Sequence, residues 1–177
     1  MVVGLIGGVA LFFGVMMNRS KGPNRVESWK EIISLIQGTD NRGKISGIYQ
    51  GRPVEVFLSN HGYEIDFYFY HLRLKVPIQG FDWTIQFDTT TFLDPTKRWH
   101  IKTDNEALKQ RLKESGAVEL VKQYPGHPKV SYRADKGSLE YESFANDDTY
   151  VPARDEFQRH LNLMTQLAEL NEQINVW

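Results

Sequence analysis

The chain begins with an uninterrupted apolar run. Residues 1–17 read MVVGLIGGVALFFGVMM and contain no charged side chain, and Arg19 and Lys21 follow directly. A helix of this length rises roughly 25 Å, which is near the lower limit for crossing the hydrocarbon core of a bilayer. The pattern predicts a transmembrane anchor over residues 1–17, a basic juxtamembrane neck over residues 18–24 and a soluble domain over residues 25–177.

Two other interpretations of the apolar run compete with an anchor. A cleaved signal peptide carries basic residues before its apolar stretch, and here they come after it. A buried core helix that is apolar all round needs cover on every side. If the run is an anchor, the bases Arg19, Lys21, Arg25 and Lys30 lie just behind it, and the positive-inside rule predicts an outer N-terminus and a cytoplasmic domain.

Small residues recur along the predicted anchor. They let two helix backbones approach closely in lipid, where packing drives helix association. The spacing therefore predicts contact with the helix of an integral membrane partner or of a second copy, although glycine is common in transmembrane helices in any case. The predicted helix-packing residues are Gly4, Gly7, Gly8, Ala10 and Gly14.

A helical stripe follows the neck. Trp29, Ile32, Ile33 and Ile36 recur at helical spacing, and Gly38 ends the pattern. The stripe fits a helix packed on the domain's own sheet, or a helix that lies in the interface of the lipid bilayer. The membrane-interface residues of the second interpretation are Arg19, Lys21, Arg25, Trp29 and Lys30.

Alternating apolar and polar positions dominate the middle of the chain. They predict six strands, over residues 44–50, 52–58, 64–76, 81–88, 130–134 and 139–144. A helical segment broken at Ser115 and Gly116 is predicted between the fourth and fifth strands, where Thr103 and Glu106 have the spacing of a capping box. A last helix begins near Pro152. The predicted fold class is α+β, a transmembrane helix followed by one antiparallel-sheet domain in the order helix, four strands, helix, two strands, helix.

The third predicted strand is aromatic on both faces. This is typical of a central strand that is covered on both sides, or of a surface that binds a partner protein. The candidate partner surface consists of Tyr63, Tyr68 and Tyr70. The acids Glu64 and Asp66 interrupt the run, and therefore no nucleic-acid partner is predicted.

Composition narrows the chemistry more than it defines it. The chain has no cysteine, which excludes disulfides and thiolate ligands. The net charge is -1, but residues 18–44 carry a net of +3, whereas residues 135–177 hold nine acids against three bases. A basic stretch beside the predicted anchor and an acidic C-terminal part are the main asymmetry.

No catalytic or cofactor motif stands out. The five histidines are His61, His71, His100, His127 and His160. None has the spacing of a metal site, so no metal, cofactor or catalytic residue is predicted. His61 with Glu64, or His100 with Asp104, forms a general-base pair only if the fold brings the two side chains together.

These observations predict a non-catalytic, single-span accessory or scaffold subunit of a larger integral membrane complex, for example respiratory or photosynthetic. It binds partner proteins through its transmembrane helix and its soluble domain. The alternative is a membrane-anchored enzyme or ligand-binding domain whose site is assembled from scattered residues. A deep pocket lined by His71, Arg73 and acids with shifted pKa values favours the alternative.

Overall fold

The computed structural model describes residues 25–61, 67–88 and 99–176. The strands are β1 (Thr39–Asn41), β2 (Lys44–Tyr49), β3 (Arg52–Asn60), β4 (Tyr68–Lys75), β5 (Trp83–Phe87), β6 (Trp99–Lys102), β7 (Lys129–Arg133) and β8 (Ser138–Ala145). The helices are α1 (Arg25–Leu35), α2 (Glu106–Glu114), α3 (Ala117–Lys122) and α4 (Arg154–Ile174), with a short 3-10 turn at Ala134–Lys136.

All eight strands form one antiparallel sheet in the order β1-β2-β3-β4-β8-β7-β5-β6. Strands β1 to β4 follow one another in sequence and in space, and β5 and β6 form the opposite edge. The hairpin of β7 and β8 lies between these two parts, because β8 pairs with β4 and β7 pairs with β5. The centre of the sheet is therefore made by strands that are distant in sequence.

The core lies on one face of the sheet, against the helices. Tyr70, Leu72 and Leu74 alternate along β4 and are fully buried, as β-strand periodicity requires of an inward row. Helix α4 packs across β4 and β8 and buries its apolar stripe there. The buried residues of that stripe include Phe157, Leu161, Met164, Leu167 and Ala168.

Helix α1 also packs on the sheet. Ile32 and Ile36 are fully buried, and the helix contacts β2 and α4. Trp29 is partly buried against the same core, while Lys30 is exposed. The described part of α1 therefore packs on the domain's own sheet, which is the first of the two arrangements predicted from its apolar stripe.

The end of α4 is fastened to the segment that leads into β5. The side chain of Asn175 accepts a hydrogen bond from the backbone N–H of Phe81 and donates one to its carbonyl oxygen, both at 2.8 Å. The indole N–H of Trp83 donates to Asn171 Oδ1 at 2.7 Å. Asn171 and Asn175 are both buried, so these contacts replace lost hydration.

The predicted fold, led by a transmembrane helix, is wrong for the described chain, because none of its helices is long and apolar enough to cross a membrane. The longest, α4, has 21 residues, but charged and polar side chains occupy the part of its surface outside the apolar stripe. Residues 1–24 lie outside the described part, and with them the predicted anchor and neck. Their predicted site residues are Gly4, Gly7, Gly8, Ala10, Gly14, Arg19 and Lys21.

The predicted order of elements is also wrong, since the described residues form a sheet of eight strands and not six. Strand β1 has three exposed polar residues and β6 has four residues, so neither is long enough to show alternation. The predicted break of the helical segment after β6 at Ser115 and Gly116 is confirmed, because this segment consists of two helices, α2 and α3. They are separated at Gly116, whose φ of 78° belongs to the left-handed region.

Candidate functional site

The second face of the sheet carries the candidate site. Each described helix contributes buried residues to the core on the first face. On β4 the outward row therefore consists of Phe69, His71, Arg73 and Lys75, between the inward residues. The register places outward residues of β3 and β8 directly beside this row, so the three strands form a continuous polar surface.

Seven side chains that are alternately basic and acidic form a row across this face from β2 to β7. We call this row the charged network. In spatial order they are Lys44, Glu55, Arg73, Glu140, His71, Glu142 and Lys129. The successive separations are 2.8, 3.1, 3.0, 2.9, 3.9 and 3.4 Å. Since β-strands fix every backbone position, the network is held in place by the sheet and needs no loop.

His71 is the most enclosed member of the network, with 4% of its surface exposed. Its ring stacks on Phe57 with centroids 4.7 Å apart and planes 9° apart. Ser59 Oγ lies 2.6 Å from Nε2, and Glu140 Oε1 lies 2.9 Å from Nδ1. An ionised carboxylate only accepts hydrogen bonds, so Nδ1 donates to Glu140 in this arrangement.

The network stabilises its carboxylates in the ionised form. The hydrogen bond from His71 is the main cause that lowers the pKa of Glu140 to about 2; burial opposes it and Arg73 assists it. For Glu55, burial raises the pKa, but the combined hydrogen bonds and charges of Lys44 and Arg73 outweigh it and lower the pKa. Glu55 and Glu140 therefore remain charged at all physiological pH values.

The lowered pKa of Glu140 predicts a specific loss of stability in acid. Its pKa in the folded protein lies below the unfolded value of 4.5, so the folded state binds fewer protons and its stability falls as the pH drops from about 4.5 to 2. Because Glu140 is partly exposed, solvent screening reduces the size of the effect. We expect Glu140→Gln to lower the free energy of unfolding by about 1–2 kcal/mol at neutral pH and by almost nothing near pH 2. Urea unfolding across this range measures the difference.

Glu169→Gln, on the exposed side of α4, is the matched control and should change stability little at any pH. A cost for Glu140→Gln that stays constant across the pH range would contradict the assignment.

An aromatic patch adjoins the charged network, formed by His61, Phe67, Phe69 and Phe144. Phe69 contacts Phe144 edge-on with centroids 6.1 Å apart, and His61 contacts Phe69 at 5.4 Å. Phe67 is 45% exposed and Phe144 is 55% exposed. Aromatic side chains that stay open to solvent beside charged groups are typical of binding surfaces.

The two described tyrosines of the predicted partner surface pack against the core and not on the second face. Tyr70 is fully buried on the core face, where it packs edge-on against Tyr141. Tyr68 is half-buried against the same core, and Tyr63 lies outside the described residues. Because side chains alternate along a strand, the neighbouring residues at odd positions of β4 are the ones that face outward.

The predicted general-base pairs are not assembled among the described residues. His100 lies 3.3 Å from Asp88 rather than beside Asp104. His61 contacts Phe69, and Glu64 lies outside the described residues. A cleft of about 400 Å³ is found instead between α4 and the α2–α3 turn, lined by Ser115, Gly116, Leu120, Gln166, Glu169, Leu170 and Gln173. It shares no residue with the charged network.

His71 and Arg73 of this site were expected from the sequence, whereas Ser59, Glu140 and Glu142 were not. Glu140 and Glu142 alternate with apolar residues along a predicted strand, which marks them as outward-facing. That signal becomes useful only once β8 is known to pair with β4.

Comparison with protein-family models, with curated proteins and with solved structures finds no match for this chain. Its function is therefore inferred from the side chains on the second face of the sheet, which we call the open face.

Proposed function

We propose that this chain is a non-catalytic binding domain, an accessory or scaffold subunit that docks a partner protein on the open face of its sheet. The observation that carries the proposal is the exposure of Phe67 and Phe144 beside the charged network. Aromatic residues and arginine are enriched where proteins bind one another, and exposed aromatic side chains serve as anchors that fill pockets on the partner. The sheet backbone supplies a rigid platform for these anchors.

The charge of this face indicates what kind of partner fits. The outward strand positions hold six bases and three acids, a net of +3, although the whole chain has a net charge of -1. The bases are Lys44, Arg73, Lys75, Lys102, Lys129 and Arg133, and the acids are Glu55, Glu140 and Glu142. Electrostatic complementarity selects a partner surface that presents acidic side chains around an apolar centre.

A paired substitution tests this function. The tagged full-length chain is purified from its native cells, the accompanying proteins are identified, and each is reconstituted with the purified chain for a measurement of Kd. We expect the double variant Phe67→Ser with Phe144→Ser to raise the Kd for the true partner about tenfold or more. The reason is that each exposed anchor contributes on the order of 1 kcal/mol to the free energy of binding. Raising the salt concentration should slow association.

Ile78→Ser is the matched control, because Ile78 is 72% exposed but lies outside the aromatic patch. Its affinity should equal that of the unaltered chain. If the Phe67 and Phe144 variant binds every reconstituted protein as tightly as the control, the open face is not the docking surface.

A second candidate function rests on Ser59, His71 and Glu140. A hydroxyl, an imidazole and an ionised carboxylate lie in hydrogen-bonding order, 2.6 and 2.9 Å apart. This is the order in which a base activates a serine nucleophile and a carboxylate orients the base. A fluorophosphonate probe that labels Ser59, but not the chain with His71→Gln, would favour a hydrolase; no labelling of the folded chain would remove this candidate.

A further inference from the structure

We propose that His71, Glu140 and Glu142 form a binding site for one divalent transition-metal ion of the Zn²⁺ class. One ligand atom from each residue lies within 4.8 Å of the others. His71 Nδ1 is 2.9 Å from Glu140 Oε1 and 3.9 Å from Glu142 Oε2. Ligands of a tetrahedral Zn²⁺ lie about 2.1 Å from the ion and hence roughly 3.4 Å from one another, between the two observed separations.

The carboxylates are already oriented for this task. Glu140 directs Oε2 to Arg73 at 3.0 Å, and Glu142 directs Oε1 to Lys129 at 3.4 Å. Each acid therefore turns one oxygen outward to a base and the other inward to Nδ1 of His71. Partners that hold the outer oxygen of a ligand reduce the rearrangement needed when a metal binds.

The contacts of the His71 imidazole also hold the ring in an orientation that suits metal binding. Phe57 covers one face of the His71 ring, and Ser59 Oγ lies 2.6 Å from Nε2. An ion bound at Nδ1 displaces the hydrogen from that nitrogen, and the neutral ring then carries its hydrogen on Nε2, which donates it to Ser59 Oγ. Metal-bound histidines characteristically donate their second ring N–H to such an oxygen.

The charge pattern of the network supports a cation at this position. Glu140 and Glu142 are two residues apart on one strand and face the same side, so their charges repel each other. Every other contact of the network pairs an acid with a lysine or arginine, and here only the imidazole separates the two acids. One nitrogen and two carboxylate oxygens favour Zn²⁺, Mn²⁺ or Fe²⁺ over Ca²⁺ and Mg²⁺, which prefer oxygen ligands alone.

Metal binding at this site is a property additional to the proposed partner docking, and it does not require a docked partner. Three protein ligands leave a fourth position of a tetrahedral ion open. Glu140 and Glu142 remain about one quarter exposed, at 23% and 25%, so this position faces the solvent side of the sheet. A water molecule or a carboxylate oxygen fits there.

Calorimetric titration of the EDTA-treated, dialysed full chain with ZnCl₂ tests the site. We expect one ion per chain with a micromolar or tighter Kd. Glu142→Gln should weaken binding at least about tenfold, and Ser59→Ala about tenfold, as loss of a second partner of a ligating histidine typically does. Replacement of Zn²⁺ by Co²⁺ should give visible absorption bands that Glu142→Gln weakens.

Glu55→Gln is the matched control, because Glu55 belongs to the charged network but lies on the far side of Arg73. Its Kd should equal that of the unaltered chain within about twofold, and urea unfolding confirms that both variants fold. An absence of heat at about 100 µM Zn²⁺ overturns the proposal. So does an equal Kd for the unaltered chain, Glu142→Gln and His71→Gln, which would place the ion on another histidine.

Discussion

Lowering the pH from about 6.5 to 4 should remove about 3 kcal/mol from the free energy of unfolding, because His160 is buried as a neutral side chain. His160 lies on α4 and is 3% exposed. Its ring stacks on Tyr141 with centroids 4.4 Å apart, and Nε2 lies 3.1 Å from the Tyr141 hydroxyl. The rings of Tyr70 and Tyr124 also lie beside it, with centroids 5.8 and 6.0 Å away.

The direction of the effect follows from the pKa. Burial lowers the pKa of His160 from 6.5 to about 4, and the positive charge of Arg159 adds to this. As the pH falls, His160 therefore becomes protonated near pH 6.5 in the unfolded chain but only near pH 4 in the folded protein. The contribution of His160 to stability is present above pH 6.5 and declines as the pH falls from about 6.5 to 4. This window overlaps that of Glu140 only between about pH 4.5 and 4.

Urea unfolding at several pH values between about 7 and 4 measures this loss. His160→Phe keeps a ring against Tyr141 but cannot be protonated, so its stability should depend much less on pH in this range. His61→Phe, on the exposed aromatic patch, should keep the full dependence. Equal pH dependence of the unaltered chain and His160→Phe would show that another group is responsible.

Gly80→Ala should destabilise the protein by about 3–4 kcal/mol, for two reasons that can be separated. The φ of Gly80 is +58°, a conformation that costs an alanine about 1 kcal/mol. A Cβ at this position would also overlap the side-chain oxygen and the carbonyl oxygen of Asn175. Relieving the overlap breaks the two hydrogen bonds between Asn175 and Phe81 and loosens the end of α4.

Gly116→Ala is the control for the backbone contribution. Gly116 has a φ of +78°, and a Cβ there meets nothing within 4 Å. We expect it to cost only about 1 kcal/mol, so the difference between the variants reports the contact with Asn175. Urea unfolding followed by circular dichroism measures both. Equal losses would mean that the contact contributes nothing.

The elements with long, regular patterns were predictable from sequence. Strand β5 alternates through Trp83 and Ile85, and α4 carries an apolar stripe over many turns, so both were expected near their true positions. The short edge strands β1 and β6 were missed because three or four residues hold too few positions to show a period. Their pairing comes from the neighbouring strand and not from their own side chains.

The candidate site was predictable only in part, for the same physical reason. The outward row that holds His71 and Arg73 is visible in the alternation of β4. Its partners are not, because Ser59 is 12 residues and Glu140 is 69 residues away in the chain. Hydrophobic periodicity assigns a residue to a face, but only tertiary pairing determines which strands become neighbours.

The central position of the β7–β8 hairpin has a consequence for how this protein is made. The meander of β1 to β4 and the pair of β5 and β6 are synthesised first, and each can form from sequence neighbours. Until the hairpin is synthesised, β4 and β5 each present a free edge, and such edges recruit strands from other chains. The nascent protein is therefore most exposed to misassembly, and most dependent on chaperones, in the interval before β8 enters the sheet.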